Sequence, residues 1–237
     1  MGKNLIQQKR GKGSSTYRAH SFRFKGRVKH NKISTETING KIIDLIKCSG
    51  HSAPLAQVKY DNGEEILMVA PEGVRVGEIV QAGEKADLKN GNIIPLKNIP
   101  EGTSIYNIEN SPGDGGKFVR TSGTFAKVVG KIRNGVVIRL PSNKQKIFQP
   151  ECRACIGIIA GSGRTEKPFL KAGNKYYAMR AKNKLYPHVS GTSMNALSHP
   201  FGGSSSHTKG RPTQASRNAP PGRKVGKIAP KRTGMRR

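Results

Sequence analysis

Four sets of residues in this chain have types and spacings that could do chemistry. Cys152-Arg-Ala-Cys155 is a CxxC pair. A structural zinc needs four ligands, and the remainder would have to come from Cys48, His188 or His199. Otherwise these are two small strand residues packed near a core. Gly113-Asp-Gly-Gly116-Lys and Gly161-Ser-Gly163-Arg look like phosphate loops in composition. Neither has the Gly-x-x-x-x-Gly-Lys-Ser/Thr spacing, so both read as turns whose backbone N–H groups could face a phosphate. Ser204, Ser205 and Ser206, with His199 and His207 nearby, invite a hydrolase reading. That reading lacks a Gly-x-Ser-x-Gly elbow, and no acid follows Glu166 to orient a histidine, so a flexible polar loop is preferred. Finally, Tyr17, Phe22 and Phe24 are interleaved with Arg18, His20, Arg23 and Lys25. The rings could stack on unpaired bases while the cations meet phosphates. Equally, Phe22 and Phe24, two residues apart, could tuck into a β core. Tyr176 and Tyr177 beside Arg180 pose the same choice.

The elements that must position these residues are set apart by charge. The chain has 237 residues, 43 Lys+Arg against 14 Asp+Glu, and a net charge of +29. Residues 1–32 hold ten bases and no acid; residues 33–166 hold all fourteen acids against seventeen bases; residues 167–237 hold sixteen bases and no acid. A nearly neutral middle can fold in the ordinary way. The two ends repel themselves and need a polyanion. A merely solvated basic surface would mix the signs. A membrane is a poor candidate for the polyanion. No run of about 18 apolar residues exists, and the ends, broken by Pro and Gly, form no helix with an apolar face. Folded RNA offers irregularly spaced phosphates and narrow crevices that an extended chain can enter. No apolar stretch follows Met1 as in a secretory signal. With that and the odd count of three cysteines, a reducing cytosol is the expected location.

The middle reads as short strands with frequent turns. The first set is 41–47, 54–60, 66–70, 74–80 and 93–96, with a hairpin signal at Asp61-Asn62-Gly63 whose two central residues tolerate positive φ. Five short strands in about sixty residues fit a small closed barrel of the OB kind. The second set is 104–108, 118–120, 124–129, 136–140, 145–148 and 154–159, with Asn134-Gly135 as a second hairpin signal, as in an SH3-like barrel. A single fused β domain is the main competitor. The expectation is a mainly β protein, an OB-fold barrel followed by an SH3-like barrel, with long extended basic N- and C-terminal arms. Its domains are 1–35 (arm), 36–90 (OB-fold), 91–185 (SH3-like barrel) and 186–237 (arm), the boundary between barrels falling near 85–100.

Several segments carry a family resemblance. The stretch Gly191-Thr-Ser-Met-Asn-Ala-Leu-Ser-His-Pro-Phe-Gly-Gly203, then Arg217-Asn-Ala-Pro-Pro-Gly-Arg-Lys-Val-Gly226 and Lys231-Arg-Thr-Gly, resembles the large-subunit ribosomal protein L2 family of the archaeal type. Ser111-Pro-Gly-Asp-Gly-Gly116, Ala154-Cys-Ile-Gly157 and Ala19-His-Ser-Phe-Arg-Phe24 support it, and the resemblance covers essentially the whole chain. It implies the same two barrels, termini extended into 23S ribosomal RNA, support of subunit association and tRNA binding, and a position near the peptidyl transferase centre. By motif, His199 matches the family's loop histidine. The pattern departs at Ser193, where Ala is usual, at Ser198, where an acid is usual, and at Ser204, where a third Gly is usual. Loss of the acid beside His199 favours a positional role over general-base catalysis.

The expected RNA contacts are Arg10, Arg18, Arg23, Lys25, Arg27, His199, Arg211, Arg217, Arg223, Lys224 and Arg232, Arg being favoured for its bidentate fork. The expected partners are 23S rRNA and, through the ribosome, other large-subunit proteins and the small subunit, with no membrane and no small-molecule substrate. No catalytic residue and no protein-held metal or cofactor is expected; magnesium bridging an arm to rRNA phosphate is left open. The competitors are a hydrolase using His199 and a nearby serine, and a non-ribosomal nucleic-acid chaperone without a fixed site.

Overall fold

The computed structural model describes residues 10–34, 36–203 and 213–231. The chain divides into two compact units. One is His20–Leu170; the other combines Met1–Ala19 with Lys171–Arg237.

The first unit is built on one ten-stranded sheet. Strands β1 (Ile38–Ile46), β2 (Leu55–Tyr60) and β3 (Glu65–Val69) form an antiparallel meander. β4 (Ile79–Ala82) pairs with the N-terminal residues Ile38–Lys41 of β1, on the edge opposite β2, and a bulge between Ile42 and Asp44 bends β1 beyond them. β5 (Ile93–Pro95), β6 (Ser104–Tyr106), β7 (Ala126–Ile132), β8 (Gly135–Arg139), β9 (Gln145–Phe148) and β10 (Arg153–Ile156) complete it, in the order β3-β2-β1-β4-β5-β10-β6-β7-β8-β9. The fold is mainly β, consistent with an OB-type barrel followed by an SH3-like barrel.

Two apolar cores lie in this sheet, and they share a wall. Ile93, Tyr106 and Cys155 pack into the first core with Ile42, Leu55, Val58, Tyr60 and Met68. Their chain neighbours Ile94, Ile105, Ala154 and Ile156 pack into the second, with Val128, Val136, Ile138 and Phe148. Alternate side chains of a strand point to opposite faces. β5, β6 and β10 therefore send every other residue to a different core. That is why their sequences read as continuous apolar runs rather than alternating ones.

The turns differ in detail from the Asn-Gly expectation. At Asp61-Asn62-Gly63 only Gly63 has positive φ (+83°). Tyr60 C=O accepts from Gly63 N–H at 2.9 Å, and Tyr60 N–H donates to Glu64 C=O at 2.9 Å. This is a three-residue loop with a glycine in the left-handed position, which keeps the twist that a two-residue turn of the primed type would otherwise supply. The β8–β9 loop repeats it with Asn143 (φ +62°) in the glycine's place. Segment 118–120, expected as a strand, contributes only a single bridge, Ile108 to Phe118. Val119 there adopts φ +54°, which no strand allows. The strand expected at 74–80 lies later, at β4, because the residues before it turn through Gly73 and Gly77.

The second unit holds a helix the sequence pattern did not announce, α1 (Ala172–Ala181). It buries no residue, so it lacks the apolar period by which helices are recognised. Tyr176 and Tyr177 stand exposed on it, their rings 5.5 Å apart edge to face. Beyond it run a parallel pair, β11 (Gln214–Ala215) and β12 (Lys227–Ile228). Among the described residues of this unit, Phe201 and Ala215 are the buried apolar side chains. Each contributes at most a few kcal/mol. Ordering the backbone opposes folding by about 1–2 kcal/mol per residue.

Candidate nucleic-acid interface

Residues 20–34 pack with the barrels, and their two-residue period decides what faces out. Phe24 lies against Gly50, where a Cβ would come within 2.7 Å of its ring, and Lys25 N–H meets Cys48 Sγ at 3.5 Å. Val28 and His30 are buried, while Lys25, Arg27 and Lys29 are exposed. Backbone bonds from Lys29 N–H to Leu67 C=O (3.2 Å) and from His30 N–H to Gly115 C=O (3.3 Å) hold the segment down. An extended chain pinned by alternate residues must turn the others to solvent. The cations therefore form a row with no acid among them.

The inner side of this segment closes a buried polar cluster. Glu109 accepts from Arg153 Nη2 at 2.9 Å, from Arg153 backbone N–H at 2.9 Å, and from Gly113 and Gly115 N–H at 3.2 Å each. Arg153 Nη1 also reaches Asn31 Oδ1 at 3.3 Å. His30 Nε2 donates to Asn107 C=O at 2.7 Å, leaving Nδ1 to face Cys155 Sγ at 3.9 Å. Burial, and next the Arg153 charge, pull His30 down to about 4, so it is neutral. Burial pushes Glu109 up, but hydrogen bonds from Arg153 and its charge outweigh that and hold the carboxyl below the usual range. Arg120, half buried, donates to Gly116 C=O and Val28 C=O at 3.2 Å each. Its pKa is lowered by burial and then by the neighbouring Arg27.

This corrects the reading of the glycine-rich loop as a phosphate-facing turn. The N–H groups of Gly113 and Gly115 are spent on Glu109, and that of Gly116 on Asp114 at 3.0 Å. The anion the loop cradles is the chain's own carboxylate. The other loop is a turn, with Gly161 and Gly163 at positive φ and Arg164 Nε donating to Ser122 Oγ at 3.0 Å.

The CxxC pair does not converge. Cys155 packs in the first core and Cys152 in the second. Three residues apart along extended chain, their side chains point to opposite faces. Burial pushes Cys152 up to about 11 and Cys155 up to about 12, so both are thiols. Cys48 pairs instead with His51, Sγ to Nδ1 at 3.1 Å.

In the second unit, residues 190–203 fold into a knot around His199. Its Nδ1 accepts from Phe201 N–H at 3.1 Å, Ser198 and His199 N–H donate to Asn195 C=O, and Gly203 N–H donates to Met194 C=O. Any side chain on Gly191 would collide with the His199 ring. With Nδ1 occupied as an acceptor, the neutral ring carries its proton on Nε2 and presents a donor. Ser204–Ser206 and His207 of the hydrolase reading lie outside the described residues.

Of the expected RNA contacts, Arg10, Arg18, Arg23, Lys25, Arg27, Arg217 and Lys224 are exposed, and Arg223 is half-buried. Arg211 and Arg232 lie outside the described residues. Arg10 lies over Tyr17 (5.7 Å to the ring centroid), and Arg23 over Phe22 (5.4 Å). Glu109, Arg153, His30, Asn31 and Arg120, which hold the exposed row in place, escaped the sequence reading. The available signals were an arginine inside the apolar run of β10 and an acid directly before the glycine-rich loop.

Two family matches divide the chain just before the shared wall. Residues 2–82 match a family described as Ribosomal Proteins L2, RNA binding N-terminal domain, and residues 89–219 match Ribosomal Proteins L2, C-terminal domain. The chain belongs to the ribosomal protein L2 family. It is 54% identical to the large ribosomal subunit protein uL2 of Methanothermobacter thermautotrophicus over the whole of both chains. It is 52% identical to the uL2 proteins of Archaeoglobus fulgidus and Methanosphaera stadtmanae, again over the full length of each chain. In L2 terms, the RNA-binding N-terminal match takes in the pinned segment and β1 to β4. The C-terminal match begins just before the shared wall at β5 and runs through the His199 knot.

Proposed function

We propose that this L2 protein is a structural constituent of the large ribosomal subunit and a primary binder of 23S rRNA. In that role it supports subunit association, tRNA binding and the architecture of the peptidyl transferase region. The observation that carries the reading is the placement of charge. A body with two cores of its own holds a row of acid-free cations outward, and a second unit, with two buried apolar side chains among its described residues, carries fifteen bases and no acid in residues 171–237. Phosphate neutralisation supplies what those segments lack, with affinity arising mainly from counterion release. The second unit orders on contact. Arg10, Arg18, Arg23, Lys25, Arg27, Arg211, Arg217, Arg223, Lys224 and Arg232 serve as the phosphate contacts.

His199 is assigned a positional role. Its Nδ1 is taken by Phe201 N–H, and no carboxylate bonds the ring among the described residues. A ring that donates from Nε2 can hold a phosphate or ribose oxygen but is not set up to accept a proton from a nucleophile there. The other partners in this reading are large-subunit proteins and, through the ribosome, the small subunit. No helix among the described residues is long and apolar enough to cross a membrane. The expected site of action is the cytoplasm.

Filter binding to 23S rRNA across an ionic-strength series tests the reading. Six to ten phosphate contacts predict a loss of about 10³–10⁵ in affinity between roughly 50 and 200 mM salt. A flat response would overturn it. Stoichiometric migration with large subunits after a high-salt wash separates it from a chaperone without a fixed site.

A further inference from the structure

We propose that Phe22 is a base-stacking platform: its ring receives one unpaired nucleobase of the ribosomal RNA, with Arg23 and His20 completing the seat. The inference deepens the RNA-binding reading above and rests on it.

The structure separates two phenylalanines that the sequence could not tell apart. Phe24 is an anchor, wedged against Gly50 and packed on the first core. Phe22, two residues earlier, is 79% exposed, the most exposed phenylalanine among the described residues. It is carried by a single 3₁₀ turn (Ser21–Arg23), closed by Arg23 N–H to His20 C=O and Phe24 N–H to Ser21 C=O at 3.0 Å each. The anchor ring and the Lys25 N–H···Sγ contact to Cys48 follow directly. The mount is thus fixed before any ligand arrives, which removes much of the ordering cost that binding would otherwise carry.

The chemistry around the ring selects the occupant. Arg23 Cζ stands 5.4 Å from the Phe22 centroid, and the His20 ring lies 5.7 Å from it at 32°. The nearest cations along the chain are Arg18 and Lys25, and residues 1–34 contain no acid. A flat apolar ring inside a purely cationic frame suits a flat π system attached to a phosphate chain. The ring takes the base while Arg23 and its neighbours meet the flanking phosphates. Every base has a π face, so the seat accepts any unpaired base. A protein partner would bring apolar side chains with peptide dipoles and would gain little from three flanking cations.

The chain has no tryptophan, so Phe22→Trp creates a single reporter at the site. Addition of 23S rRNA to the full-length variant is expected to quench its emission and shield it from acrylamide. In filter binding, Phe22→Ala should weaken affinity about 5- to 150-fold with an unchanged salt slope. Phe22→Tyr should bind like the parent, while Phe22→Leu, apolar without a π face, should behave like the alanine variant. Arg23→Ala should reduce the salt slope by about one contact. Urea unfolding should place Phe22→Ala with the parent, because an exposed ring adds little to stability. Unchanged affinity for Phe22→Ala and unquenched Phe22→Trp, with the salt slope intact, would overturn the platform and leave RNA binding standing. Loss of the salt slope in the parent would instead overturn RNA binding itself. Quenching by ribosomal proteins but not by RNA would assign the ring to a protein contact and also end the proposal.

Discussion

Arg153 and Glu109 meet at 2.9 Å in the interior, with the arginine side chain 9% exposed and the carboxylate fully enclosed. The pair joins β10 to the glycine-rich loop, and through Asn31 it also holds the segment that carries the outward cations. A buried ion pair adds little compared with an apolar pair of the same shape, but breaking it strands a charge. Glu109→Gln and Arg153→Met should each destabilise the barrel unit by about 3–5 kcal/mol. The double variant should cost less than the sum. Urea unfolding of the three variants measures the coupling.

Acid should loosen the same place. His30 ordinarily titrates near 6.5 and is held down to about 4, first by burial and then by Arg153. Between these values the unfolded chain binds a proton that the folded one does not, so stability falls as pH drops from 6.5 towards 4. The His30 contribution is full above about 6.5, and its loss by pH 4 is on the order of 3 kcal/mol. Glu109, also depressed, acts in the same sense at still lower pH, losing its contribution as pH falls through its folded value. Urea midpoints at pH 7, 5.5 and 4 should decline, and His30→Asn should flatten the decline.

Thiol chemistry should report the two-core arrangement. Cys152 and Cys155 are buried, with pKa values pushed up to about 11 and about 12, first by burial. Neither should react with a disulfide reagent in the native protein at pH 7.5, because thiolate is the reactive form. Both should react after denaturation. A native chain in which the two form a disulfide with each other would contradict their placement on opposite faces.

The two look-alike hairpin loops make opposite predictions. Gly63→Ala places a Cβ at φ +83°, which should cost about 1–2 kcal/mol. Asn143→Gly relaxes φ +62° and should stabilise by less than about 1 kcal/mol. Thermal unfolding of the two variants reads both signs.

The His199 knot gives the last prediction. Gly191→Ala must displace the imidazole. The ¹⁵N shifts of His199, which should show Nε2 protonated in the parent, are expected to change in the variant while the barrel resonances stay put.

Most strands were legible in the sequence because β2, β8 and β9 alternate or end in recognisable turn residues. The shared wall was legible only as apolar runs, since a strand buried on both faces loses its period. α1 was invisible because it buries nothing, so its sequence carries no apolar stripe. At the interface, the cations announced themselves by composition alone. Phe22 and Phe24 could not be assigned, because the same two-residue period serves an anchor and an exposed ring. The glycine-rich loop misled for a different reason: composition reveals backbone freedom but not which carboxylate the freed N–H groups will find.

The buried cluster also dictates a schedule. His30 and Asn31 leave the ribosome early, but the groups that fix them are 77 to 125 residues further along the chain. Closing loops of that length is slow, and no shorter-range contact offers the same bonds. During synthesis the cationic row can first be pinned through Gly50, Cys48 and Leu67, and its inner polar bonds close only when β10 has been made. The mount is therefore completed in two stages, and the second waits for the arrival of Arg153.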